Sequence, residues 1–217
     1  MIRTWVVSGV AALGFLVAAL AVAGYFRAAF GVQAALLALL VAIIPLTIVI
    51  PTFIWLDRFE AEPTRYLVGG FLWGALVAAL VAATVNTSAM AVIEAVATRS
   101  EATLVTAVVV APVVEEAAKG AFVLLTWWFA RREFDGLIDG MVYAGLVAAG
   151  FAFTENVQYL AQAWTDGGQD LLTATFIARG LMSPFAHPMF TVLTGIGIGI
   201  AAHSRSALIR WTAPVVG

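Results

Sequence analysis

Apolar residues run along this chain in blocks of about twenty, near 4–26, 32–56, 67–90, 104–130, 137–160 and 185–203. Each block is long enough to cross a hydrocarbon layer of about 30 Å as a helix. Helices are the form to expect there, since in lipid every backbone polar group needs a partner within the chain. The pattern therefore predicts an all-α, polytopic membrane bundle of about six to seven transmembrane helices, built as a single integral-membrane domain over 1–217. A further stretch at about 170–184 reads as a broken or re-entrant segment. Arg179-Gly180 and Ser183-Pro184 supply the polarity and the helix breakers for one.

Most of the charge falls between the blocks, in Asp57 to Pro63, Glu94 to Glu101, Arg131 to Asp135 and Asp166 to Asp170. A cytoplasmic N-terminus puts Arg3, Arg58, Arg65, Arg131 and Arg132 inside, against Arg27 and Arg99 outside, which agrees with the positive-inside rule. A full crossing at 170–184 would send Arg205 and Arg210 outside and nearly erase that bias. Arg3 followed by an apolar run and Ala21-Val22-Ala23 imitates a signal peptide. The run from Thr4 to Phe26 nevertheless exceeds the usual signal core of about 7–15 residues, so a retained helix is expected.

Composition sharpens this reading. Hydrophobic residues make up 63% of the 217 positions and the mean hydropathy is +1.01, which takes the chain out of the soluble globular class. A net charge of -2, with no basic cluster beyond Arg131-Arg132, argues against a nucleic-acid partner and leaves the lipid bilayer as the surrounding medium. Cysteine is absent, which excludes thiolate catalysis, disulfides and Cys-based zinc sites.

Candidate chemistry lies where charge interrupts the apolar blocks. Lys119, the only lysine, shares the 104–130 block with Glu115 and Glu116. At 3.6 residues per turn it lies about 40° round the helix from Glu115 and about 60° from Glu116, so all three share one face. Each charge at mid-membrane costs roughly 2.5–3.5 kcal/mol on insertion scales, so three together call for a function. Pro112, one turn earlier, denies the Val108 carbonyl its helical partner and predicts a locally opened backbone. One lysine neutralises one carboxylate, which leaves the other as a candidate general base, proton shuttle or metal ligand. A buried ion pair that only locks helices together is the bland alternative.

Glu155 and Asn156 form a second polar insertion, with small residues Ala144 and Ala148 on the same face to admit a neighbouring helix. Glu155 could also be solvated at the outer interface. His187 opens the last block as a candidate metal ligand or proton carrier, and Gly195 and Gly199 follow with small-xxx-small packing spacing. Arg179 has three readings: a partner for Glu155, a group that neutralises a substrate carbonyl, or a snorkelling cation. His203 reads as a solvated tail residue. An echo relates Leu76–Asn86 to Leu146–Asn156, which chance explains in a chain so rich in Ala and Val.

Carboxylates and a histidine converging from separate helices are the parts needed to activate water for amide hydrolysis. The sequence has no His-Glu-x-x-His, no Gly-x-Ser-x-Gly, no Ser/His/Asp order and no aspartyl pair.

Four blocks in order resemble the PrsW-type intramembrane proteases, relatives of the CAAX-prenyl endopeptidase and bacteriocin-processing superfamily. They are Asp57-Arg58-Phe59-Glu60-Ala61-Glu62-Pro63, Glu115-Glu116-Ala-Ala-Lys119, Phe151-Ala-Phe-Thr-Glu155-Asn156 and Pro184-Phe185-Ala186-His187. The resemblance implies a stress-signalling peptidase that cuts a single-pass membrane protein such as an anti-sigma factor. It makes Glu115, Glu116, Glu155 and His187 the catalytic set, with Lys119, Asn156 and Arg179 binding or orienting substrate. Family members are described as metalloproteases and relatives as acting without metal. Both routes stand, with zinc on Glu116, Glu155 and His187 as the metal version. The resemblance also leads one to expect a further C-terminal helix with another His and Asn, where this chain stops at Trp211–Gly217. Two other classes stay open: a proton- or cation-coupled transporter, and an inactive scaffold for single-pass partners.

Overall fold

Blocks this apolar give helices, and the computed structural model has a helix for every regular element among the described residues. It describes residues 2–131, 134, 136–204, 206, 208, 209, 212 and 213. The candidate charges Arg132, Asp135, Arg205 and Arg210, together with Trp211 and 214–217, lie outside the described residues.

Helix α1 (Ile2–Asp57) is broken at Gly31, whose φ of 81° is open to glycine. It therefore holds both of the first two predicted blocks. Helix α2 (Thr64–Leu72) passes through a π-helical stretch, Trp73–Ala78, into α3 (Ala79–Glu94). Helix α4 (Arg99–Val105) starts with a capping box in which Thr98 and Glu101 satisfy each other's orphan backbone donors. A π-helical turn at Thr106–Val110 then leads into α5 (Ala111–Phe129). The turn falls where Pro112 removes a backbone donor, so the local opening has a direct cause. Helix α6 (Leu137–Phe176) is broken at Gly167 and Gly168, where φ at Gly168 is 61°. It runs through a third π-helical stretch, Ile177–Met182, before α7 (Ala186–His203).

Among the described residues, three stretches are long and apolar enough to cross a membrane: Ser8–Asp57, Thr64–Glu94 and Leu137–His203. Arg99–Phe129 is as long as the second of these, but Glu115, Glu116 and Lys119 interrupt its apolar run. The segment after Gly168, 169–182, measures about 21 Å as a helix, short of a bilayer core of about 30 Å.

The bundle is organised around α6, which is buried almost without interruption from Asp139 to Phe151. Gly140, Gly145 and Gly150 are five residues apart, about 140° round the helix at each step. Each meets a different neighbour. A Cβ would strike the Gly195 carbonyl of α7 from Gly140, the Phe53 ring of α1 from Gly145, and the Phe71 carbonyl of α2 from Gly150. Small residues thus let three helices close on one, the usual packing device in lipid. Gly195 and Gly199 serve as the packing surface their spacing predicts, facing Gly140 and Gly136. On the other flank, Ala34, Ala38 and Ala42 of α1 lie against Val157, Leu160 and Ala161 of α6. Apolar side chains also cover the outside: Val10, Leu13, Val17 and Leu20 are more than half exposed, as a lipid-facing surface requires.

Candidate active site

Three helices and the π-helical stretch after α6 bring the intramembrane charges together. Lys119 on α5 is completely buried, and its ammonium has four neighbours. Glu116 Oε1 lies at 2.7 Å, Glu115 Oε2 at 3.8 Å, His187 Nδ1 at 3.1 Å, and the Phe151 ring centroid at 4.1 Å. The shared helical face of Glu115, Glu116 and Lys119 is thereby realised, and a cation–π contact completes the enclosure.

His187 joins that group to α6. Its Nε2 lies 2.7 Å from Glu155 Oε2, and its ring packs tilted on Phe151 with centroids 5.3 Å apart. Arg179 binds both polar residues of α6, with Nη2 at 2.5 Å from Glu155 Oε2 and Nε donating at 3.0 Å to Asn156 Oδ1. Its guanidinium also lies 4.0 Å from the Tyr159 ring centroid. Of the three readings of Arg179, pairing with Glu155 is the one found. The break at Gly167-Gly168 permits it by turning the chain back, so that a residue 24 positions later reaches Glu155.

A continuous polar chain results: Glu116, Lys119, His187, Glu155, Arg179, Asn156. Two cations and two carboxylates alternate around a histidine, which offsets much of the cost of burying any one of them. Glu116 Oε2 remains buried without a hydrogen-bond partner. Glu115 and Glu155 both line a cavity of about 540 Å³ between α1, α3, α5 and α6. The solvated alternative for Glu155 gives way to a paired one, with its side chain 20% exposed. Two hydrogen bonds hold the frame: Trp73 Nε1 donates to the Ala118 carbonyl at 2.9 Å, and Thr154 Oγ1 donates to that of Ala75 at 2.6 Å.

As a metal centre this set fits poorly. Among the described residues no three His, Asp or Glu side chains are gathered to hold an ion. Both ring nitrogens of His187 are engaged, and Lys119 and Arg179 sit in the cluster where a dication would be repelled. Glu155 and His187 touch directly, but Glu116 joins them through Lys119 rather than converging with them on one point.

Sequence reasoning passed over Phe151 as a partner of Lys119, although it stood beside the Glu155 motif. It also missed a second cluster at the other end of α6, where the Tyr143 hydroxyl donates to Glu62 and the Glu62 backbone N–H donates to Asp57 Oδ1 at 3.0 Å. Burial first, with the nearby Asp139 and Asp57 charges adding to it, pushes the Glu62 carboxyl up to about 8 against the Tyr143 hydrogen bond. His203 is exposed, as its place in the tail suggested.

The sequence profile of the PrsW family intramembrane metalloproteases matches residues 62–217. Protease PrsW of Geobacillus kaustophilus is 32% identical over 145 residues, which cover 67% of this chain and 58% of that protein. Protease PrsW of Clostridioides difficile is 31% identical over 159 residues, covering 72% of this chain and 62% of that protein. The chain therefore spans less than two thirds of the length of these relatives. No solved structure matches it. The long apolar helices and the profile together make it a multi-pass membrane protein. Since the matched region contains Glu62, Glu115, Glu116, Lys119, Glu155, Asn156, Arg179 and His187, the chain belongs to the PrsW family of intramembrane metalloproteases.

Proposed function

We propose that this protein is an intramembrane endopeptidase that hydrolyses a peptide bond of a single-pass membrane protein, with an anti-sigma factor as the type of substrate. It acts as one domain of six crossings and a short broken segment, with its N-terminus in the cytoplasm. The observation that carries this reading is the unbroken polar chain from Glu116 to Asn156 beside a cavity that Glu115 and Glu155 share. A structural ion pair needs no such cavity.

Within it, Glu115 is the general base. Its tie to Lys119 is the looser one, at 3.8 Å against 2.7 Å for Glu116, and it faces the cavity from which water would come. Glu115 takes a proton as the water oxygen attacks the scissile carbonyl. Asn156, its carbonyl held by Arg179, offers its NH₂ to the resulting oxyanion. The departing nitrogen needs a proton, and Glu155 supplies it through a relay. Lys119 gives a proton to His187 Nδ1, Nε2 releases one to Glu155, Glu115 then restores Lys119, and proton exchange with water after product release returns the imidazole to its Nε2–H form. Glu116 holds the ammonium in line throughout. The family name implies a metal, but the donors as arranged do not fit one, and no step here runs through it.

The test is cleavage of a reconstituted single-pass peptide, read by mass spectrometry of the products. Full activity in Glu115→Gln, Glu116→Gln and His187→Ala would sink the reading. Solute uptake abolished by Glu155→Gln, without any cleavage, would favour a transporter instead.

A further inference from the structure

The guanidinium of Arg179 holds three residues of α6. Glu155 takes its Nη2 and Asn156 its Nε, while Tyr159 lies against it with the ring centroid 4.0 Å away. At 3.6 residues per turn, Tyr159 lies about 40° round the helix from Glu155 and about 60° from Asn156. It stands between the two, one turn further along α6.

Tyr159 opens to the cavity that Glu115 and Glu155 line, and it is 40% exposed. The charges of Glu155, Arg179 and Glu115 all reach its phenol. A phenolic hydroxyl can donate one hydrogen bond. Tyr143 commits its hydroxyl to Glu62, whereas that of Tyr159 has no hydrogen bond among the described residues.

Amide hydrolysis gives such a donor a task. Attack by water places negative charge on the former carbonyl oxygen, and donors fixed in advance stabilise that charge most strongly where water is excluded. The NH₂ of Asn156 is one donor, recessed in a residue only 8% exposed. A phenol on the adjoining face, its ring fixed by the cation–π contact with Arg179, supplies a second at the cavity wall.

We propose that the Tyr159 hydroxyl donates a hydrogen bond to the oxyanion beside the NH₂ of Asn156, which makes Tyr159 a catalytic residue. The phenol keeps its proton throughout. Its hydrogen bond strengthens as charge develops on the oxygen and weakens when the C–N bond breaks and the carbonyl re-forms. The proposal rests on the peptidase reading of the same cavity.

The experiment uses the full chain in proteoliposomes with a synthetic single-pass peptide bearing a fluorophore and a quencher around a glycine-containing apolar stretch. Tyr159→Phe keeps the ring against Arg179 and removes one oxygen. It lowers kcat about 100-fold, leaves KM within about twofold and does not move the unfolding midpoint. A tyrosine that only anchors the helix at the lipid interface would leave kcat unchanged. With 3,5-difluorotyrosine in place of Tyr159, a more acidic phenol, the alkaline fall of kcat moves to lower pH, because a phenolate has no proton to donate. An unchanged kcat in Tyr159→Phe, or an alkaline limb that fluorination does not move, would overturn the assignment. Wild type that cleaves the peptide no faster than Tyr159→Phe sinks the assignment alone. Wild type that cleaves no peptide sinks the peptidase and the assignment with it.

Discussion

The Nδ1 atom of His187 lies 3.1 Å from the ammonium of Lys119, across the contact between α7 and α5. An ammonium has donors only, so Nδ1 is the acceptor and the ring proton sits on Nε2, donating to Glu155. The resting histidine is therefore neutral, in a tautomer fixed by its two partners. Nitrogen-15 spectra of the histidine-labelled protein should show His187 protonated on Nε2, and Lys119→Met should release that preference. A resting Nδ1–H tautomer would contradict the relay.

Lys119 neutralises carboxylates that have no other cation within α5. With the ammonium removed, Glu116, whose side chain is 30% exposed but whose Oε2 is enclosed, loses its cation, so Lys119→Met should cost roughly 1–3 kcal/mol of unfolding free energy. Lys119→Arg should not restore it, because a planar guanidinium does not fit a point-charge site closed by Phe151. Adding Glu116→Gln to Lys119→Met should recover much of the loss. Denaturant unfolding in detergent measures all three, and a change below about 1 kcal/mol in Lys119→Met would show that the charge is not enclosed.

Much of this arrangement is legible in the sequence, and the reason is geometric. Glu115, Glu116 and Lys119 are local, so helical periodicity alone puts them on one face. The opening before Pro112 is equally local and falls at Thr106–Val110. The partner of Arg179 is not local: it depends on the break at Gly167-Gly168, and sequence leaves three readings of equal merit. Tyr143 is hidden for a different reason. Its neighbours are apolar, and the interaction with Glu62 spans 81 positions. Asn86 stands out as an amide in an apolar run, but only the tertiary fold reveals that its oxygen has no partner. Block boundaries blur wherever glycine breaks a helix without ending it, as at Gly31.

The Glu62 carboxyl outside the membrane gives a pH dependence of definite sign. Its folded value, about 8, stands above the ordinary 4.5, so the folded protein holds a proton that the unfolded chain releases. That contribution is fully present below the unfolded value and is lost as pH rises towards about 8. Unfolding midpoints should fall across this window, and Glu62→Gln should flatten the slope. A stability that rises over the same range would show Glu62 ionised in the folded state.

The donor arrangement also predicts the metal content. With both nitrogens of His187 engaged and two cations in the cluster, elemental analysis of the purified protein should find no stoichiometric zinc that His187→Ala removes. About one ion per chain, lost in that variant, would mean that Lys119 withdraws and that Glu116, Glu155 and His187 regroup around a metal.

The most direct measurement is the initial rate of cleavage of a single-pass peptide in proteoliposomes, wild type beside Glu155→Gln, with unfolding midpoints recorded for both. Glu155 is the point where His187 and Arg179 meet. The account predicts a rate lower by at least about 100-fold with most of the stability retained, since a lost general acid costs on the order of 10²–10⁴. Cleavage at the wild-type rate in a folded Glu155→Gln protein would contradict it.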